Sequence, residues 1–210
     1  PNDAHDTPVS LTTIDQDTIE SRGAQHIEEV LNLAPNVNVS SGASRGQYFQ
    51  IRGIGERSEF QAPLNPSVGL YVDGIDFSRS GGAATLFDIE SVEILRGPQG
   101  TRYGANGMAG TINLKSTEPT NDLAMKFEST LATYNTHAEG IAVGGPLIDN
   151  TLLGRFSVHS YKSDGYMDND FLGRDNTQNH DEITARGHLK WLATDDLTID
   201  LNVLHLNIDN

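Results

Sequence analysis

The chain contains no cysteine. That excludes a disulfide framework, a thiolate nucleophile and a cysteine-bound metal. Nor does it hold any stretch near the roughly 20 apolar residues of a membrane helix. Positive charge is scarce: 14 Lys and Arg stand against 29 Asp and Glu, for a formal net charge of -15. Nucleic-acid backbones are bound through clustered Lys and Arg, so this balance argues against such a partner. No secretory signal opens the chain, as expected of a mature or trimmed form, or of a cytosolic protein.

Catalytic and metal motifs are missing too. "GPQGTRYGANG" lacks the Lys and Ser/Thr that close a phosphate loop, and it holds only one collagen-like triplet. The histidines show neither H-x-x-x-H nor H-E-x-x-H spacing, and no nucleophile elbow occurs. In "DGYMDNDFLGRD" the carboxylates of Asp164, Asp168, Asp170 and Asp175 miss the EF-hand register, so a solvated loop is expected. No catalytic residue, cofactor or metal site is expected.

Glycine, by contrast, is abundant, with 21 residues in 210. Gly97, Gly100, Gly104, Gly107 and Gly110 crowd the stretch Val92–Thr117, which reads as strand, turn, strand. Such density points to tight turns and close backbone approach.

The chain changes character near Glu118. Before it, α and β signals mix. Thr7–Ile14 alternates as a strand. Asp17, three residues before Glu20, has capping-box spacing for a short helix that Gly23 can end. "HIEEVLNLAP" sets Ile27, Val30, Leu31 and Ala34 at helical spacing, with Glu28 and Glu29 facing away and Pro35 as the stop. "NVNVSS", "YFQIRGIG" and "SVGLYVDGI" read as strands, "ATLFDIE" as one helical turn, and "SVEILRG" as a further strand.

After Glu118 the helical signal disappears. Leu123, Met125, Phe127 and Leu131 alternate with Lys126, Glu128 and Thr130. Phe156 and Val158 alternate with Arg155, Ser157 and His159. Ile183, Ala185, Gly187, Leu189 and Trp191 face away from Thr184, Arg186, His188 and Lys190. Leu197, Ile199, Leu201 and Val203 oppose Thr198, Asp200 and Asn202. "EGIAVGG" is the weakest of five such segments. Each is about ten residues long, which suits a tilted strand crossing a bilayer. "GGPLIDNT" and "LATDD" are tight connections, whereas Ser163–Glu182 is long and polar. Short turns at one end and long loops at the other suit an outer-membrane barrel, but a soluble sandwich shows the same alternation.

The stretch "LFDIESVEILRGPQGTRYGANGMAGTINLKSTEPT" resembles the end of the plug domain of TonB-dependent outer-membrane receptors. The likeness lies in Val92-Glu93, Leu95–Gln99, Tyr103-Gly104 and Gly110–Asn113. Upstream, "IRGIG", "VGLYVDGI" and "IEEVLNLAPNVNV" match the family's other plug elements in order. Asn36 stands where the family often has Gly, and Ala105 where a larger residue is common. The resemblance implies an α+β plug over residues 1–120. It implies antiparallel strands of a large transmembrane β-barrel, of about 22 strands, over 121–210, of which these are the first five and incomplete.

The resemblance also implies a function. Such receptors are not enzymes and need no cofactor. They reside in the outer membrane of Gram-negative bacteria, with the plug inside the barrel. They bind a scarce extracellular nutrient, often a ferric siderophore, and import it with energy from the inner-membrane TonB complex. That complex reads a short TonB box, expected just upstream of Pro1. Outer-membrane lipid is the other implied partner. Arg52 and Arg96, each before a glycine, are expected at the plug–barrel boundary, with Glu93 as a candidate partner within the plug. The apical plug loops are expected to offer Arg45, Tyr48, Arg57, Phe60, Phe77 and Arg79 to substrate. Cationic and aromatic groups suit an anionic metal chelate, and equally a glycan. A signalling receptor of the same fold, and a soluble β-rich binding module, are the other readings.

Overall fold

The computed structural model describes residues 10–41, 45–58, 65–98, 100, 106–171 and 173–209. The chain forms two compact units, Pro1–Ser116 and Thr117–Asn210.

In the first unit, β1 (Ser10–Asp15) runs into α1 (Gln16–Ser21). Asp15, not Asp17, caps this helix: its carboxylate accepts from the Thr18 N–H at 2.9 Å. The chain leaves at Gly23, whose φ is +61°. Gly23 N–H then reaches the Glu20 carbonyl, and Ala24 N–H that of Ile19, a Schellman ending.

The expected helix over "HIEEVLNLAP" is instead two 3-10 turns, Ile27–Glu29 and Leu31–Leu33. Ile27, Val30, Leu31 and Ala34 are still buried. Three-residue spacing from 27 to 30 and from 31 to 34 serves a 3-10 turn as well as an α-helix over so short a span. The expected turn over "ATLFDIE" is also displaced. A 3-10 turn lies earlier, at Gly81–Ala83, while Thr85 bridges His26.

The strands follow: β2 (Val37–Ser41), β3 (Gly46–Ile51), β4 (Ile54–Gly55), β5 (Val68–Val72), β6 (Ile75–Asp76), β7 (Ile89–Arg96) and β8 (Gly110–Ser116). They form a three-stranded sheet β2-β3-β4 and a five-stranded sheet β1-β7-β8-β5-β6. Among the described residues only β5 and β8 pair in parallel. All five residues of β5 are buried, consistent with its near-continuous apolar run. Arg52-Gly53 and Asp73-Gly74 join their hairpins with positive φ at both central residues, the type I′ geometry that matches strand twist. Asn36 takes φ +59°, a conformation asparagine tolerates better than most residues, and its carbonyl accepts from Arg52 N–H. The core is aliphatic, with Ile27, Leu31, Ile51, Leu70, Leu86, Ile89, Ile94, Ile112 and Leu114 fully buried.

In the second unit, β9 (Ala124–Ala132), β10 (Thr136–Ile148), β11 (Leu152–Ser163), β14 (His180–Thr194) and β15 (Leu197–Ile208) make one antiparallel sheet in chain order. A small hairpin, β12 (Met167–Asn169) and β13 (Arg174–Thr177), sits in the long connection. Leu192 N–H and the Asn121–Asn150 contact tie the ends of neighbouring strands at the short turns. Although its pattern was the weakest, β10 spans 13 residues, because small residues weaken the periodicity without weakening the ladders it makes with both neighbours.

Exposure decides between sandwich and barrel. The apolar face is the open one: Phe127 is 76% exposed, and Met125, Leu131, Phe156 and Leu201 are exposed with it. The polar face is the covered one, with Ser157 at 3% and His159 at 2%. Glu182, Thr184 and Arg186 are buried on that side too. A soluble sandwich turns its apolar face inward. This sheet is inverted, as in the wall of a membrane barrel.

Candidate functional site

The backbone segments that carry three of the six residues expected to meet a ligand meet around the β2–β3 hairpin. Tyr48 lies on β3 opposite Ser40 of β2. The Ser40 hydroxyl donates to the Arg57 carbonyl at 3.1 Å, which draws the Arg57 backbone to the same strand pair. Arg79 arrives from another loop. That loop lies directly on the start of β3: a Cβ at Gly81 would sit 2.1 Å from the Gly46 carbonyl oxygen, so only glycine allows the approach. Arg57 and Arg79 are exposed and Tyr48 is half-buried.

The other three differ. Arg45 is buried, and its guanidinium pairs with Glu28 Oε1 at 3.1 Å. Phe77 is half-buried and packs against the core. Phe60 lies outside the described residues.

What holds this end together was not expected from the sequence. Glu28, expected to face away, accepts from Gly46 N–H at 2.8 Å as well as from Arg45. Buried His26 bonds the Gly81 carbonyl through Nε2 at 2.9 Å, with Nδ1 3.6 Å from Glu28. His26, Glu28 and Arg45 thus tie the 3-10 turn, the β3 start and the Arg79 loop into one scaffold. A second clamp closes the connection from β4 to β5, where the Glu56 carboxylate accepts from the Ser67 N–H and, at 2.8 Å, from its hydroxyl. For Glu28 the only sequence signal was a carboxylate beside the apolar Ile27; Glu56, between Gly55 and Arg57, carried none.

The residues expected at a plug–barrel boundary are placed separately. Arg52 is exposed at a hairpin turn. Arg96 donates to the hydroxyls of Ser10, at 2.9 Å, and Thr12. Glu93 takes a long bond from the Asn113 amide, at 3.5 Å. Glu93 and Arg96 do not pair within the first unit, because an odd spacing on one strand sends them to opposite faces.

In the glycine turn the roles divide. Gly97 has φ +106°, and its N–H bonds the Ala109 carbonyl. Gly110 carries the close approach, since a Cβ there would lie 2.3 Å from the Leu95 carbonyl oxygen and 2.7 Å from Ile51 Cδ1. Gly107 has φ +149°, Gly100 has open space around it, and Gly104 lies outside the described residues.

Residues 3–111 match the model of a family described as the TonB-dependent receptor plug domain. The chain is 29% identical to the pesticin receptor of Yersinia pestis over 168 residues, which is 80% of this chain and 24% of that one. It is 28% identical to the vitamin B12 transporter of Vibrio vulnificus over 208 residues, covering 95% of this chain and 32% of the relative. Among solved structures, the ferric yersiniabactin uptake receptor of Yersinia pestis superposes with a TM-score of 0.79 at 27% identity, over 92% of this chain and 30% of that one. The chain therefore spans about a quarter to a third of the length of these relatives.

Proposed function

Because the chain belongs to the TonB-dependent receptor family, we propose that it serves an outer-membrane transporter importing an anionic metal chelate of the ferric siderophore class, driven by the TonB complex. Receptors of this family sit in the outer membrane of Gram-negative bacteria and are not enzymes. The substrate class is supported by Arg57 and Arg79, both exposed, and half-buried Tyr48 standing on segments that meet at the β2–β3 pair. Guanidinium groups bind anionic oxygens through charge-assisted, often bidentate bonds, and a phenol ring adds a flat apolar surface for a chelate. The likeness to a ferric yersiniabactin uptake receptor supports the same class. In this reading Arg52, Glu93 and Arg96 lie on the faces that meet the barrel wall.

The likeness to a vitamin B12 transporter favours a second reading, uptake of another large nutrient through the same plug. The test is import of radiolabelled ferric chelates and of cobalamin by a strain lacking other receptors. Ferric import is expected. It should fall about 10- to 100-fold in affinity for the Arg57→Ala/Arg79→Ala double variant, the loss of one or two charge-assisted bonds. Import of cobalamin but of no ferric chelate would replace the first reading with the second.

A further inference from the structure

The apolar, outward face of the second unit is unevenly covered. Most outward positions carry large side chains, but Gly145 pairs with Gly154, and Gly187 pairs with both Phe156 and Val203. Together with the walls formed by Leu123, Val143, Leu147, Phe156, Leu189 and Val203, these positions leave an almost wholly apolar groove of about 440 Å³. Its floor at Gly187 is open, since a Cβ there would meet nothing within 4 Å. The groove is continuous with the outward apolar band of the sheet, and its volume is of the order of a single acyl chain's.

The groove lies toward the end of the sheet that bears the short turns. Leu147 stands next to Ile148, which ends β10, and Leu123 follows Asp122. That rim carries Asp122, Asp149, Asp195 and Asp196. The strand cations at this height, Lys126, Arg155 and Lys190, project from the opposite face by register. An apolar groove with an anionic rim selects its occupant by charge. It repels head groups that carry phosphate alone and favours one that adds an ammonium.

We propose that this groove seats one acyl chain of a phospholipid with an ammonium head group, in the leaflet that the short turns face. The inference rests on the membrane-barrel reading of the second unit and is independent of the imported substrate. A single chain in such a groove binds reversibly, so the site is occupied by exchange with the surrounding bilayer.

The test uses the whole receptor, purified in detergent micelles doped with equal amounts of phosphatidylethanolamine and phosphatidylglycerol, with native mass spectrometry as the readout. The wild type is expected to carry one phosphatidylethanolamine. Gly187→Leu fills the groove without a clash and should lower that occupancy about tenfold, equivalent to about two methylenes less burial. Its heat-modifiable mobility reports that the barrel is intact. Asp195→Asn/Asp196→Asn should keep the bound lipid but lose the head-group preference. Unchanged occupancy in Gly187→Leu, or a wild type that prefers phosphatidylglycerol or lipid A, would overturn the proposal. Gly187→Leu should also import substrate at the wild-type rate, so a failed lipid test and a failed transport reading are separately visible.

Discussion

Adding one methyl group at Gly110 is the sharpest test of why the plug is rich in glycine. Gly110 opens β8 directly opposite Arg96 of β7, with φ at +152°. An alanine Cβ would sit 2.3 Å from the Leu95 carbonyl oxygen, which is backbone in the same ladder and cannot swing aside. It would also sit 2.7 Å from Ile51 Cδ1, a fully buried atom of the other sheet. Two costs add: about 1–3 kcal/mol for the backbone conformation and about 1–3 kcal/mol for overpacking. Even the low end removes a sizeable share of a domain stability of roughly 5–15 kcal/mol. At Gly97 only the first cost applies, because a Cβ there meets nothing within 4 Å. Hydrogen exchange on peptides covering β7 and β8 in the intact receptor measures local opening. Gly110→Ala should speed exchange at least about 30-fold, and about 5- to 100-fold more than Gly97→Ala does, at ~1.4 kcal/mol per decade. Valine at Gly110 should abolish uptake. Equal exchange in the two alanine variants would refute the argument that close approach, and not φ alone, requires glycine here.

Three further outcomes are expected. Cysteines placed at Asn169 and Asp195, in a chain with none of its own, should be labelled in intact cells by an impermeant reagent at Asn169 only; the reverse pattern would invert the topology. Glu28→Gln keeps an acceptor for Gly46 N–H but removes the carboxylate 3.1 Å from the Arg45 guanidinium, whose side chain is 6% exposed. It should cost about 2–4 kcal/mol in urea unfolding of residues 1–120, with part of the loss restored by adding Arg45→Met; an unchanged midpoint would show that the pair is not structural. Hydrogen bonds from the Thr18 side chain and then its backbone N–H hold the Asp15 carboxyl below its ordinary value of 3.8. Since the folded pKa is depressed, the cap's contribution is complete above the ordinary value and is lost as pH falls through the lower folded value. Thr18 amide exchange should therefore accelerate on acidification below about 3.8 in the wild type but not in Asp15→Asn; identical acid profiles would remove Asp15 as the cap.

Where one local rule decides the outcome, the sequence is easy to read. Alternation placed β9, β11, β14 and β15, whereas Asp73-Gly74, read inside the single strand "SVGLYVDGI", is the turn of a hairpin. The errors came where two rules agree over a short span. Spacing at Ile27, Val30, Leu31 and Ala34 fits α and 3-10 geometry alike, and both Asp15 and Asp17 look like caps before a short helix. Alternation also cannot say which face is wet; the family resemblance implied the barrel, and the exposure of Phe127 against the burial of His159 agrees with it. At the candidate site, residue type alone did not separate Arg57 and Arg79 from Arg45. The distinction depends on Glu28, 17 residues before Arg45 and brought there by the fold. The Gly46–Gly81 approach is likewise a contact between segments distant in the chain, with no local trace.

The order of strands in the larger plug sheet has a kinetic consequence. Among the described residues β1 stands at the edge of that sheet, and its ladder is with β7, from Ser10 opposite Arg96 to Asp15 opposite Ser91. The Arg96–Ser10 bond alone spans 86 residues of chain. By comparison β14 and β15 meet across a two-residue turn. Closing the longer loop carries a larger entropy cost before any contact rewards it, and such non-local pairings form late. By this entropy argument β7 and β8 are expected to pair before β1 docks. While β1 is away, the β7 edge presents unpaired backbone groups to any strand another chain offers. Completion of the sheet by its own chain is thus expected to depend on the order of assembly as well as on the stability of the finished plug.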